Sequence, residues 1–227
     1  MATLPDLDPR LFRASALVPA SRSEFATGDA RAGEAWPPPG RIVELTGGLD
    51  GALTSMAVAA VARVQQAGGI TAWLQPEHGL LFPPDLASNG VDLDALVVVH
   101  VPVPARTALA QRGRPRTAPH DLPKAAELLL RSGAFDLLVL DLRPSAPRHG
   151  AWLVRLQALA RTHRSRVLLL SDARAPVELG STSTLRLFPQ RKRSQGAFVV
   201  EPHIVKDKLH DVATPPVLPR RGPMGLS

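Results

Sequence analysis

The sequence contains no cysteine among its 227 residues, which excludes disulfide bonds, thiolate metal sites and cysteine nucleophiles. Tyrosine is also absent and aromatic residues make up only 4%, which argues against a platform that stacks the bases of single-stranded nucleic acid. No apolar run reaches the roughly 18 residues of a membrane-spanning helix, and the N-terminus lacks an apolar signal core. The seven histidines form no ligand-like pair. We therefore expect a cytoplasmic protein without a metal or other cofactor.

Positive charge is what the sequence has in excess. The formal net charge is +7 and the sequence pI is about 11.1. Such a balance is compatible with a polyanionic partner such as DNA, and equally with a solvated, arginine-rich surface. Because aromatic residues are scarce, any contact with DNA should be made mostly to its phosphates.

Composition divides the chain into three parts. Residues 1–39 have no sustained periodicity and end in "WPPPG", which predicts a flexible, proline-rich N-terminal arm. Residues 40–212 alternate between apolar strand-like and helix-like segments and should form one core domain. Residues 213–227 cannot contribute a core and are predicted to be a flexible C-terminal tail.

The core predicts an α/β fold. Strands separated by helices imply parallel crossovers, so we expect a mostly parallel central sheet flanked by helices. Near the C-terminal end two strands follow each other directly, joined by the basic segment "PQRKRSQ", which predicts an antiparallel addition with a basic turn. The predicted strands are 41–45, 70–74, 95–100, 135–142, 166–172, 182–188 and 196–203, and the predicted helices are 52–67, 122–133 and 149–164.

The segment "GRIVELTGGLDGALTS" has the order strand, glycine-rich loop, helix that is typical of a phosphate-binding loop. Aligned on G-x-x-x-x-G-K-[ST] from Gly47, it places alanine at the second glycine and leucine at the lysine, and after the first glycine it keeps only the final hydroxyl residue. The segment is therefore either a nucleotide site that lost its charge or a turn that never had one. The residues concerned are Gly47, Gly48, Gly51, Ala52, Leu53 and Thr54.

Four phrases in this order resemble the ATPase core of the RecA recombinase family: "GRIVEL", "AGGITAWLQPEHGL", "LLLRSGAFDLLVLD" and "IVKDKLHD". The resemblance implies a RecA-like core in which the residue at Leu53 would bind phosphates and Thr54 would ligate magnesium. It also implies that Glu77 would orient the attacking water and that Asp141 would support magnesium. Without the lysine these carboxylates would repel a triphosphate, so we expect weak or no ATP hydrolysis, do not expect an enzyme, and regard both carboxylates as vestigial. Alternatively, both are strand-end residues that cap neighbouring helices.

The segments that follow Asp141 and Asp172 are too short for the two DNA-binding loops that the resemblance implies. Positively charged side chains remain in these segments and in the basic turn. They are candidates for binding DNA phosphates, and the alternative is that they are simply solvated. These candidates are Arg143, Arg148, Arg174, Arg191, Lys192 and Arg193. The phrase "VKDK" contributes Lys206 and Lys208, which the resemblance implies would reach across a subunit interface toward a neighbour's nucleotide. The alternative is a pair of exposed lysines on a C-terminal strand.

Within the family, the eroded loop and the short DNA loops resemble the ImuA group of accessory proteins. This resemblance implies a degenerate RecA homologue that acts as a scaffold in the SOS response to DNA damage, where it supports mutagenic translesion synthesis. The implied partners are the ImuB-like inactive Y-family polymerase homologue, an error-prone replicative-type polymerase, RecA, and single-stranded DNA through its phosphates. Two alternatives stay open: a divergent RecA-like DNA-dependent ATPase that uses Arg191 or Lys192 of a neighbour, and a SulA-type inhibitor of cell division.

Overall fold

The computed structural model describes residues 36–48, 52–77, 79, 81–102, 122–143, 151–174, 185–194, 197–208 and 217–220. Within these ranges strands and helices alternate as far as the fifth strand, and three strands then follow one another. The strands are β1 (Ile42–Gly47), β2 (Thr71–Pro76), β3 (Leu96–Val101), β4 (Leu137–Asp141), β5 (Arg166–Asp172), β6 (Leu185–Ser194), β7 (Ala197–Asp207) and β8 (Leu218–Arg220). The helices are α1 (Ala52–Gln66), α2 (Pro83–Ser88), α3 (Leu122–Ser132) and α4 (Ala151–His163).

All eight strands belong to one sheet in the order β3-β2-β4-β5-β1-β6-β7-β8. The pairings from β3 to β6 are parallel, while β7 is antiparallel to both β6 and β8. The structure thus confirms the predicted α/β fold with a mostly parallel sheet and an antiparallel addition. Because parallel strands end at the same edge, the carboxyl ends of β1, β2, β4 and β5 lie side by side.

Helices cover the sheet on two faces. Helix α1 packs through an apolar cluster that includes Leu45, Met56 and Trp73, while α3 and α4 pack on the opposite face through a cluster that includes Leu140 and Leu156. The inner strands can bury both faces because they are continuous apolar runs, as in "LLVLD" of β4. The described helices contain no segment that is long and apolar enough to cross a membrane.

The structure changes two predictions at the C-terminal end. The basic segment predicted as a turn is mostly strand, because β6 runs on to Ser194 and pairs with β7 along its whole length. Strand β6 pairs with β1 only as far as Leu187, and residues 190–193 are all exposed, so solvent reaches successive side chains there and a run of cations does not prevent strand formation. Within the predicted tail, Leu218–Arg220 forms β8 on the edge of β7.

The N-terminal boundary is also packed more closely than expected. Most of the predicted arm lies outside the described residues, but Trp36 is only 3% exposed and belongs to the cluster under α1. The Pro37 carbonyl accepts a hydrogen bond from Arg166 Nε, and the Gly40 carbonyl accepts one from Gln157 Nε2. Helix α2, which the sequence analysis did not predict, is short and buries Leu86 in the same cluster as Trp36.

Candidate functional site

The candidate site lies where β1 and β4 end and α1 begins. Gly47 is the last residue of β1, Asp141 is the last residue of β4, and Thr54 lies in the first turn of α1. Strand β5 lies between β1 and β4, and its last residue Asp172 is in register with Gly47. The edge therefore brings Thr54 and Asp141 into one site, as the resemblance implied.

The glycine-rich loop turns its leucine inward. Leu53 is fully buried, and a Cβ atom added at Gly47 would lie 2.8 Å from Leu53 Cδ1. A side chain at position 47 would force Leu53 to shift, because the leucine side chain packs directly over the Gly47 backbone. Ala52 is also fully buried, Gly48 is exposed, and Gly51 lies outside the described residues. At the position expected for a phosphate-binding lysine, the chain has an apolar side chain in the core.

Arg143 joins the two residues that were predicted to support magnesium. Its Nε donates to Asp141 Oδ1 at 2.9 Å, its Nη2 donates to Asp141 Oδ2, and its Nη1 donates to Thr54 Oγ1 at 3.0 Å. The backbone N–H of Arg143 donates to Asp141 Oδ1 at 3.2 Å as well. Arg143 is a candidate phosphate contact from its place in the sequence, whereas in the structure its guanidinium is bound to Asp141 and Thr54.

The electrostatics of this contact fix the charge of Arg143. The hydrogen bond from its side chain to Asp141 raises the guanidinium pKa, although burial acts in the opposite direction. The side chains of Arg143 and Asp141 are 19% and 6% exposed, so the pair is mostly removed from solvent. Bidentate pairing of this kind fits the planar fork of arginine better than lysine. Arg143 is thus a permanently charged, fixed group in the site.

Glu77, the other carboxylate predicted from the resemblance, follows the end of β2 on the same edge of the sheet. Its backbone N–H donates to the Val101 carbonyl at 3.0 Å, and its side chain is exposed. His78 lies outside the described residues. The described residues include no cluster of three histidine, aspartate or glutamate side chains that could hold a metal ion.

A second charged cluster, which the sequence analysis missed, lies within the sheet. Glu44 on β1 is fully buried; it accepts hydrogen bonds from Ser171 Oγ at 2.6 Å and from Arg186 Nε. Glu44 and Arg186 are in register on neighbouring strands, so the pair bridges β1 and β6. The signal in the sequence was a charged residue inside each of the apolar runs "RIVEL" and "LRLF". Buried charges of this kind are paired, and one such residue predicts another of opposite sign.

The cations of the β6 and β7 strands fall into two groups. Arg191, Lys192 and Arg193 are exposed near the hairpin end; Arg191 lies 5.9 Å from the Phe198 ring centroid and Lys192 forms an ion pair with Glu201. At the other end of the β6–β7 ladder, Lys206 of β7 is in register with Arg186 of β6. Arg186 precedes Lys192 by six residues on the same strand. At strand spacing the two groups are about 20 Å apart. They therefore form two surfaces, and a small ligand would reach one of them.

Lys206 and Lys208 lie at the end of β7. Burial lowers the pKa of the Lys206 ammonium, and the nearby cations Lys208 and Arg186 lower it further, while Glu44 acts in the opposite direction. Lys208 is exposed just beyond the strand. Among the other predicted phosphate contacts, Arg174 is bound to Asp172, and Arg148 lies outside the described residues.

Comparison with known proteins identifies relatives of this chain. Residues 20–148, more than half of the chain, match the model of the RecA N-terminal domain. Over 105 residues the chain is 41% identical to protein RecA of a Nocardioides species and 40% identical to protein RecA of Kineococcus radiotolerans. Each match covers 46% of this chain and 25% of the relative, so the chain spans about a quarter of the curated relatives it matches.

Two solved structures resemble most of the fold. The flagellar accessory protein FlaH from Methanocaldococcus jannaschii superposes with a TM-score of 0.55 at 10% identity, covering 81% of this chain and 86% of FlaH. The RadB recombinase superposes with a TM-score of 0.54 at 15% identity, covering 81% of this chain and 88% of RadB. At these identities the similarity shows a common fold alone.

Proposed function

Because this chain belongs to the RecA N-terminal domain family, we propose that it is a non-catalytic, recombinase-like protein of the ImuA type. In this role it is a scaffold in the DNA-damage-induced mutasome and supports error-prone translesion synthesis through contacts with other proteins and with DNA. In this proposal the chain has the fold of the family and does not hydrolyse ATP. It assigns no catalytic residue and no cofactor to the chain.

The observation that carries the proposal is the position of Leu53. A phosphate-binding loop needs a cation that reaches the terminal phosphates and glycines that let the backbone approach them. Here the side chain at the lysine position is fully buried and packs over Gly47. Since Leu53 belongs to the core under α1, restoring a lysine there would bury a charge. The loop therefore serves the packing of the domain.

The proposed partners are the inactive Y-family polymerase homologue of the ImuB type, the error-prone replicative-type polymerase and RecA. Single-stranded DNA is a further proposed partner, through phosphate contacts of Arg191, Lys192 and Arg193, which are exposed at the hairpin end. Lys206 and Lys208 form the second proposed contact, toward a neighbouring RecA subunit. Their position about 20 Å from the hairpin group allows the two contacts to be tested separately.

The absence of catalysis is tested with a fluorescent ATP analogue and magnesium, with and without single-stranded DNA. We expect no saturable binding and no phosphate release in either condition. Saturable binding at micromolar concentration would contradict the proposal and would favour an ATPase with a substitute cation. In that case Glu77→Gln should abolish turnover, because the exposed carboxylate would then orient the attacking water.

The scaffold role is tested by binding of the purified chain to each proposed partner, measured by biolayer interferometry. We expect the wild type to bind the polymerase homologue with a dissociation constant in the micromolar range or below, as is usual for a specific interface. Lys206→Ala with Lys208→Ala should weaken binding to RecA, and Arg191→Ala with Arg193→Ala is the matched control with the same loss of charge. Equal effects of the two double variants on RecA binding would assign the loss to net charge and would remove the proposed lysine contact.

A further inference from the structure

Three oxygen atoms at the end of β4 and the start of α1 have the chemistry of a magnesium site. The two carboxylate oxygens of Asp141 and the hydroxyl oxygen of Thr54 are hard donors, and they converge beside the N-terminus of a helix. Magnesium commonly takes one or two carboxylates, water and phosphate oxygens in such a place. The donor set taken alone therefore fits a divalent cation.

The arrangement of these oxygens does not fit a divalent cation, because one guanidinium already binds all three. Arg143 donates Nε and Nη2 to the two oxygens of Asp141 and donates Nη1 to Thr54. We propose that Arg143 is the built-in cation of this site, and that it bars divalent metal from the Asp141 and Thr54 oxygens. The site is closed by the chain's own side chain.

Two physical features make the exclusion strong. A guanidinium keeps its charge at any physiological pH, and the contact with Asp141 raises its pKa further. The pair is also largely screened from water by burial, so a second cation brought next to Arg143 would be repelled in a medium of reduced dielectric constant. A metal ion would have to displace three hydrogen bonds and meet this repulsion at the same time.

The neighbouring strand provides a matched control. Strand β5 also ends in an aspartate followed two residues later by an arginine, Asp172 and Arg174, and their side chains are bonded to each other. The Arg174 side chain is 76% exposed, however, and within the described part of the chain its bonds go to Asp172. The Arg174→Ala variant therefore removes the same charge at the same edge of the sheet without touching Thr54.

The test is a titration of the full chain with manganese, a spectroscopic substitute for magnesium, following the free ion by electron paramagnetic resonance. Wild type and Arg174→Ala should show no saturable site. Arg143→Ala should gain one saturable site, filled at a manganese concentration roughly tenfold or more below any at which the wild type binds detectably, because the repelling charge is gone and both donor residues are released. A second substitution, Asp141→Asn in the Arg143→Ala background, should abolish the gained site.

A saturable site in the wild type with the affinity of Arg143→Ala would overturn the inference, as would a folded Arg143→Ala protein that binds no manganese. If circular dichroism shows that Arg143→Ala does not fold, Arg143→Gln replaces it, since glutamine keeps hydrogen-bond donors and drops the charge; the same two outcomes then decide. The inference rests on the non-catalytic role proposed above. The manganese titration contains no nucleotide, so its result tests only whether Arg143 excludes the metal. The titration with the ATP analogue separately tests the non-catalytic role.

Discussion

Strands β4 and β5 end in the same local pattern, yet the two ends differ in what they can contribute. In both, an aspartate accepts hydrogen bonds from the backbone N–H and the side chain of the arginine two residues later. Arg143 Nε lies 2.9 Å from Asp141 Oδ1, whereas Arg174 Nε lies 3.3 Å from Asp172 Oδ1. The Asp141 pair also binds Thr54 of α1, which connects a strand to a helix 89 positions away in sequence.

Burial explains why this difference matters. The arginine side chains are 19% exposed at position 143 and 76% exposed at position 174. An exposed ion pair gains little, because water and salt screen it and two long side chains must be ordered. A buried pair gains little over an apolar replacement, but removing one partner leaves an uncompensated charge. The arginine of this Asp-x-Arg pattern can therefore be replaced after β5 at little cost in stability. Replacing it after β4 should destabilise the fold, because the Asp141 charge would stay buried without its partner.

The largest effect should come from Arg143→Met, which keeps an apolar stem and removes the guanidinium. We expect the free energy of unfolding to fall by about 3 kcal/mol, because the Asp141 carboxylate is left buried without its partner. Urea denaturation measures this loss. The double variant Asp141→Asn with Arg143→Met should be more stable than the single one, since it leaves no buried charge. A loss below about 1 kcal/mol would place the pair in the class of surface ion pairs.

A smaller effect should come from Thr54→Val, which keeps the shape of the side chain and removes the hydroxyl that accepts from Arg143. We expect a loss of about 1.5 to 2 kcal/mol, the lower part of the range for a hydrogen bond to a charged group, because Arg143 keeps its bonds to Asp141. Thr46 on β1 is the matched control: its Oγ1 is buried and has no hydrogen-bond partner among the described residues. Thr46→Val should be neutral or slightly stabilising in urea. A control variant that lost as much as Thr54→Val would assign the effect to repacking.

The fold was predictable because its signals are local. Continuous apolar runs such as "LLVLD" and "RVLLLSD" predict buried parallel strands, and the structure confirms both as β4 and β5. Helix α3 was predicted from the proline near its start and the glycine after its end, and it is found at Leu122–Ser132. Strand β6 was predicted too short because its cations indicated a turn, whereas the strand continues through them with residues 190–193 all exposed to solvent.

The candidate site was predictable only in part. The positions of Thr54 and Asp141 on one edge follow from strand order and from the resemblance to recombinases. The contacts of the Arg143 side chain could not be predicted in this way. An arginine follows the strand-end aspartate by two residues at both 143 and 174, and only the packing around each arginine decides whether it reaches a helix. The inward position of Leu53 and the buried pair of Glu44 with Arg186 likewise depend on contacts between strands and helices far apart in sequence.

The smallest effect on stability should come from Arg174→Ala. The Arg174 side chain is mostly solvated, so we expect no measurable change in the urea midpoint at physiological ionic strength. The same experiment at low salt, where screening is weaker, sharpens the comparison with Arg143→Met. A midpoint shift of Arg174→Ala that approached the shift of Arg143→Met would show that the two strand ends are equivalent and would remove the distinction drawn from burial.

Even without a stability effect, Arg174→Ala should be visible in the titration of Asp172. The hydrogen bond from the Arg174 backbone N–H is the main cause that lowers the pKa of this carboxyl, and the Arg174 side chain adds to it. Alanine keeps the backbone donor, so the pKa should rise only part of the way toward its ordinary value. Because the pKa of Asp172 is lowered in the folded chain, the contact favours folding at pH values above the carboxyl's ordinary, unfolded-state pKa. This contribution is lost as the pH falls through the folded-state pKa. Carboxyl NMR measures the shift, and Glu201, whose pKa is lowered mainly by Lys192, should titrate unchanged. A complete return of Asp172 to its ordinary pKa would contradict the leading role of the backbone N–H.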